Sequence, residues 1–184
     1  MKHPALVALG CTLFALGLAI APLPSTAQTS PAPTPVPIPH PDFTAMKYLI
    51  GTWQCTQPLR GKMRPETDVY TMSQDGMWMV EQSTAPPFDQ YRTVPQNGMG
   101  YLTYDPTVKM WVTTGIDSLG GYGLQSASGW QGNTITWSGK GLDGTTFTDV
   151  ITKVSDTKTT DDNTTTDPQG KVTKVTITCT KSAS

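Results

Sequence analysis

Few residues in this 184-residue chain have the type and placement to do chemistry, and the absences matter as much as the positions. Its two histidines are His3 and His40, both upstream of the strand-like sequence that begins near residue 50, so a Ser-His or Cys-His nucleophile has no base. Of the three cysteines, Cys11 falls in an apolar leader, while Cys55 and Cys179 fall in what read as the first and last strands. A disulfide between those two would remove both thiols from chemistry. Two-carboxylate work is what survives. Glu81 and Asp117 lie in strand-like runs, and a carboxylate turned into an apolar interior has its pKa raised into the range of a general acid. Strand carboxylates more often face water or hold an internal hydrogen bond, so no catalytic set is assigned and binding outweighs catalysis.

Metal chemistry is thin as well. Asp161, Asp162, Asn163 and Asp167 offer hard oxygen ligands but lack the spacing of a calcium loop. Met77-Trp78-Met79, with Met63, Met72 and Met99, offers thioethers that Cu(I) could use, yet methionine is the common filler of irregular cores. No metal and no cofactor is expected. Asn163-Thr164-Thr165 fits a glycosylation acceptor, which matters only on a eukaryotic secretory route.

The elements that must position these residues are strands. Turn signals recur every eight to twelve residues, among them Gln74-Asp75-Gly76, Asp105-Pro106, Asp143-Gly144 and Pro168-Gln169-Gly170, and the runs between are rich in Thr, Val, Tyr and Trp. The pattern predicts strands near 50–57, 67–73, 77–83, 98–104, 110–117, 122–129, 133–138, 145–154, 157–166 and 171–181. The ninth is polar on both faces and could instead be a long loop. Before the first strand, Asp42 can cap a helical turn in which Phe43, Met46 and Ile50 repeat at helical spacing. An even number of antiparallel strands makes the first and last strands antiparallel neighbours on closure, which is what a Cys55–Cys179 bond needs. The expected fold is all-β, an up-and-down antiparallel barrel of about ten strands with a short N-terminal helical turn.

Alternation then places side chains. Met77, Met79 and Glu81 share one face of their strand and Trp111, Thr113 and Asp117 one face of theirs, and these are the candidate ligand-binding residues. Five tryptophans and six tyrosines supply flat apolar surface for a small hydrophobic molecule, although a small barrel can equally fill itself with side chains. Residues 85–96, with Pro86, Pro87 and Pro95 around Phe88 and Tyr91, could form a stiffened loop over the mouth.

Upstream, residues 1–27 combine Lys2, an apolar run from Ala5 to Ala21 and Ser25-Thr26-Ala27, the pattern of a cleaved signal peptide. The run is short and meets Pro22 and Pro24 at once, which argues against a membrane anchor, and Ala8-Leu9-Gly10 before Cys11 is a poor lipidation box. Residues 28–42 are a proline-alternating linker suited to polyproline II, and 43–184 form the domain. Net charge is −1, and −2 once Lys2 is lost, with basic residues grouped only at Arg60, Lys62 and Arg64, read as a solvated loop. That excludes nucleic acid, which needs several cations on one face, and no basic amphipathic helix is present for a membrane surface. The expected location is exported, periplasmic or extracellular, with no membrane span after signal removal.

Leu49-Ile50-Gly51-Thr52-Trp53 resembles the G-x-W opening of lipocalins and their calycin relatives. Tyr104-Asp105 with Lys109, Trp111-Val112 and Ile116-Asp117-Ser118-Leu119-Gly120, together with Gly129-Trp130, Ile135-Thr136 and the closing stretch from Asp167 to Lys181, resembles an uncharacterised family of secreted bacterial lipocalin-like domains over residues 43–181. The resemblance implies the barrel and export, but no activity. Heme-binding relatives ligate iron through a histidine, which this domain lacks. With Cys55 facing Cys179, Trp53 faces Lys181, so that a cation can sit on the indole as a basic residue often does in calycins; the alternative is a solvent-facing Lys181. The resulting expectation is an exported barrel that binds or shields a small hydrophobic ligand. Its competitors are a non-catalytic envelope interaction module and a barrel enzyme using strand carboxylates. An interior cavity would favour the first, an exposed aromatic patch the second and a buried carboxylate pair the third.

Overall fold

The computed structural model describes residues 38–90 and 92–183. The expected signal segment and most of the proline linker lie outside the described residues, as does Tyr91 of the expected mouth loop. A 3-10 turn, η1 (Thr44–Leu49), precedes eleven strands: β1 (Gly51–Leu59), β2 (Lys62–Met72), β3 (Met79–Ala85), β4 (Gln96–Asp105), β5 (Met110–Asp117), β6 (Tyr122–Ala127), β7 (Trp130–Gln131), β8 (Thr134–Lys140), β9 (Thr146–Ser155), β10 (Lys158–Thr166) and β11 (Val172–Lys181). Each pairs antiparallel with its sequence neighbour except at one place: β6 pairs with β8, passing over the two-residue β7, which only forms a hairpin with β8. Since β1 also pairs with β11, ten strands close a barrel with no free edge.

Closure follows the register read from the cysteines. Cys55 stands opposite Cys179 and is bonded to it, and Trp53 stands opposite Lys181. The Lys181 ammonium lies 5.6 Å from the Trp53 ring centroid and donates to the Tyr48 carbonyl at 2.7 Å. The Trp53 indole N–H donates to the Leu49 carbonyl at 2.6 Å, so η1 is tied to the barrel from both sides. Gly51 is required at the junction: its φ is +122°, and a Cβ there would meet the Lys181 Cε at 3.0 Å. Phe43 and Met46 of this turn are buried against Met79, Ala127, Ile135 and Trp137, which plugs one end of the barrel.

Two expected strand starts need correction, and with the first of them the reading of Arg64. The strand expected at 67–73 begins at Lys62, because Arg60 and Gly61, with φ of 52° and 77°, make a two-residue hairpin turn directly after Leu59. Arg64 therefore does not solvate a loop. Alternation turns it inward, where it is 4% exposed and donates to the Gln96 side-chain carbonyl at 2.7 Å. The strand expected from residue 77 starts at Met79, since Asp75 and Ser73 hold 73–78 as a turn by accepting from the Met77 and Trp78 amides. The all-polar ninth segment is a full strand, β10, paired along its length on both sides.

Candidate functional site

The inner face of the barrel is apolar at the plugged end and polar above it. Met46, Leu49, Met79, Leu102, Ile135 and Trp137 floor a chamber of about 280 Å3. Over this floor β2 contributes Glu66, Asp68 and Tyr70, β3 contributes Glu81, and β9 and β10 contribute Asp149 and Asp161. The chamber opens upward into a vestibule of about 440 Å3, which shares Glu81, Gly100, Thr113 and Gln125 with it. Where the two spaces meet lies a row of glycines, with the Glu81 carboxylate over the first, 3.0 Å from where a Gly100 Cβ would stand. Glu81 stands opposite Gly100, Gly100 opposite Gly115 and Gly115 opposite Gly123, so three adjacent strands present no side chain at one level. A Cβ on Gly123 would meet nothing within 4 Å.

The carboxylates differ sharply in their partners. Asp149 accepts from the Gln125 and Asn163 amides and is fully engaged. Glu66 accepts from the Gln57 amide at 3.3 Å. The Tyr70 hydroxyl hydrogen-bonds Glu81, and burial pushes the Tyr70 hydroxyl well above its ordinary range, the Glu81 charge adding to the effect. Burial also raises Glu81, against that hydrogen bond. Asp68 is 8% exposed, and its Oδ1 has no partner. Its Oδ2 lies 3.0 Å from the Cys55 sulfur, which as half of a disulfide has no proton to donate. Burial, then the charges of Glu81 and Glu66, push the Asp68 carboxyl up to about 8. Asp161, whose Oδ1 is likewise unpartnered, is raised to about 7 by burial and by Asp149, Asp162 and Glu81. The Tyr48 hydroxyl and the Trp130 indole N–H, both on the chamber wall, are buried without partners too. Unmet hydrogen-bonding capacity thus converges on this chamber, and each such group in a dry interior costs about 1–3 kcal/mol.

Of the residues expected from alternation, Met79, Glu81 and Thr113 line the chamber and Asp117 lines the vestibule. Asp117 is engaged in the turn after β5: its Oδ1 accepts from the Leu119 and Gly121 amides at 2.7 and 2.9 Å and its Oδ2 from Gln96 at 2.9 Å. Burial opposes ionisation there, but those backbone amides, Gln96 and the Arg92 charge prevail and hold the carboxyl below its usual range. The Asp117 carboxylate is thus committed to the turn after β5. Trp111 faces inward at the plugged end, where it packs on Phe43 and Tyr104 at ring separations of 5.3 and 5.5 Å, away from both spaces. Met77 sits in the turn before β3, its carbonyl accepting from the Thr103 hydroxyl at 2.7 Å. Sequence reasoning misses Asp68, Tyr70 and Asp149, and it reads Asp161 only as one of a run of hard oxygen ligands. Period-two alternation running through Arg64, Glu66, Asp68 and Tyr70 carries the signal, once β2 is known to start at Lys62.

No metal set assembles. Among the described residues, the one trio of His, Cys, Asp or Glu ligand atoms within 4.8 Å of one another is Cys55, Asp68 and Cys179, and its sulfurs are spent in the disulfide. Outside the barrel, Trp78, Tyr101, Ile116, Tyr122 and Leu124 are exposed along β3 to β6. No helix among the described residues is long and apolar enough to cross a membrane.

No family model and no curated protein sequence matches the chain. Among solved structures, the S-type phycobiliprotein lyase CPES from Guillardia theta is similar, with a TM-score of 0.54 at 7% identity over 75% of this chain and 90% of that one. Two redesigned β-barrels are also similar: b11L5F_LGL, with a TM-score of 0.44 at 18% identity over 76% and 96% of the two chains, and mFAP1 bound to DFHBI, with 0.32 at 22% over 74% and 98%. The lyase likeness bears on the fold alone, and that fold is the closed ten-strand antiparallel barrel described above.

Proposed function

We propose that the domain is a binding barrel that takes a small, largely apolar molecule through the glycine-lined vestibule into the chamber above η1. The observation that carries this reading is the chamber itself: a plugged, partly aromatic space with several unpartnered polar atoms on its wall. A barrel selected only for stability fills such space or satisfies such atoms. The disulfide suits an oxidising compartment, and the leader and linker expected from sequence suit export.

Each competitor keeps one observation. The neighbouring carboxylates Asp68 and Glu81, with Tyr70, favour acid–base catalysis, and the outer aromatic patch favours an interaction module. Neither explains the space. A thermal-shift screen across fatty acids, isoprenoids, amines and aromatic metabolites tests the binding reading. Saturable stabilisation by one class is the expected result, rising with ligand concentration by mass action. No shift anywhere in the screen would overturn it, and recovery of a chemically altered compound would replace it with the catalytic reading.

A further inference from the structure

The lining of the chamber bears on the chemistry of an occupant, a step that rests on the binding reading above. Glu66, Asp68, Glu81, Asp149 and Asp161 face this space, and no lysine, arginine or histidine is among the residues lining it. The nearby cations are engaged elsewhere. Lys181 is held by the Tyr48 carbonyl and Trp53, and Lys153 by Asp156 and the Tyr48 ring at the plugged end. Arg64 and Arg92 both donate to the Gln96 side-chain carbonyl at the mouth, each at 2.7 Å. Arg64 is four residues from Asp68 along β2, about 13 Å at about 3.3 Å per residue, too far to neutralise it.

Within the chamber, Asp149, Glu66 and Glu81 already have donors, whereas Asp68 and Asp161 each leave an oxygen without one. Asp68 combines that unmet acceptor with near-complete burial. The unmet acceptors are the carboxylates, and in a space with no internal countercharge they call for N–H donors and positive charge from the occupant, while the unmet Tyr48 hydroxyl and Trp130 indole N–H can serve an acceptor elsewhere on it. A bare divalent ion does not meet the need, because no three of these carboxylates bring an oxygen each within 4.8 Å of one another. The groups are spread around a wall that includes Tyr48, Tyr70, Trp130 and Trp137, aromatic surface that suits a flat body and a cation. We propose that the barrel selects an organic cation, an amine or amidine on an apolar body, seated with its charged nitrogen between Asp68 and Asp161.

A second consequence follows. The cation must hold these carboxylates ionised, so binding should release protons and strengthen as pH rises from about 6 to about 8. The groups involved are Tyr48 of η1, Glu66, Asp68 and Tyr70 of β2, Glu81 of β3, Tyr101 of β4, Asp149 of β9, and Asp161 with Asp162 of β10; the β1 and β11 cysteines are oxidised.

Calorimetry of the whole protein with tryptamine, tryptophol and indole-3-acetate, which share a body and differ in charge, tests the proposal. Dodecylamine, dodecanol and dodecanoate form a second such series. In at least one series the amine should bind tenfold or more tighter than the alcohol, the acid should not bind, and amine affinity should rise from pH 6 to pH 8. Asp68→Asn should weaken the amine at least tenfold while leaving the alcohol within threefold. Asp161→Asn serves the same purpose if Asp68→Asn does not fold. Alcohol or acid binding as tightly as amine, or variants that bind the amine unchanged, would overturn the charge assignment and leave the binding reading standing. Silence from all six compounds, together with an empty thermal-shift screen, would overturn both.

Discussion

Replacing Asp161 with asparagine keeps the shape of the side chain and removes its proton equilibrium, which makes the interior carboxyl measurable as a stability slope. The ordinary carboxyl value of 3.8 is raised to about 7 in the folded barrel, by burial and by Asp149, Asp162 and Glu81. A carboxyl raised on folding stays protonated in the native state after it has ionised in the unfolded one. Stability from this group is therefore full below about pH 4, is lost as pH rises, and is gone above about pH 7. Three units at about 1.4 kcal/mol each set a ceiling of about 4 kcal/mol. The asparagine variant has no such slope. Urea unfolding of both proteins at unit pH steps should find them nearly equal at pH 4 and the variant gaining on wild type by up to about 4 kcal/mol at pH 8. Exposed carboxylates shift both curves together and drop out of the difference. A difference that stays constant within about 0.5 kcal/mol across the range would refute the reasoning, because it would mean that Asp161 is solvated as if at the surface.

Reducing the Cys55–Cys179 bond, which joins positions 124 apart, should cost on the order of 5 kcal/mol in the chain-entropy model, and non-reducing peptide mapping should find no free thiol at either position. Trp111→Ala should cost about 3–5 kcal/mol by emptying the contact with Phe43 and Tyr104 while leaving ligand affinity within threefold, as checked by urea unfolding and calorimetry. Lys181→Met should cost about 1–2 kcal/mol through loss of the Tyr48 carbonyl bond and the Trp53 ring contact, read from the same unfolding curves. Deleting residues 28–41, a proline-alternating stretch with no expected internal hydrogen bonds, should change stability by no more than about 0.5 kcal/mol in thermal melts.

The barrel was legible in the sequence because its determinants are local or paired. Turn chemistry marks the strand ends, and the cysteines on the first and last strands specify closure and, through alternation, the Trp53–Lys181 pair. The interior was less legible. A strand facing an apolar core advertises itself by alternation of apolar and polar residues, but β10 faces Asp161, Asn163 and Thr165 into a polar space and so reads as polar throughout. The same effect hid the first part of β2, where Arg64 and Glu66, like Asp68 after them, look like surface residues until the hairpin at Arg60-Gly61 shows that they face inward. The engagement of Asp117 in a turn was hidden for the opposite reason. Its inward parity was right, but Gly120 and Gly121 let the chain turn back so that its backbone amides capture the carboxylate, and turn capture does not show in strand parity.

Filling the glycine passage tests most directly whether the interior is a binding space. Gly123 has strand-like backbone and open space where a side chain would project, so Gly123→Phe should fold as wild type does and block the vestibule. Titration of both proteins with Nile red, a neutral apolar fluorophore, should give saturable one-to-one binding with a blue-shifted emission to wild type, and at least a tenfold weaker affinity in the variant. Equal binding to both would place the dye on the outer aromatic patch and contradict an occupied interior.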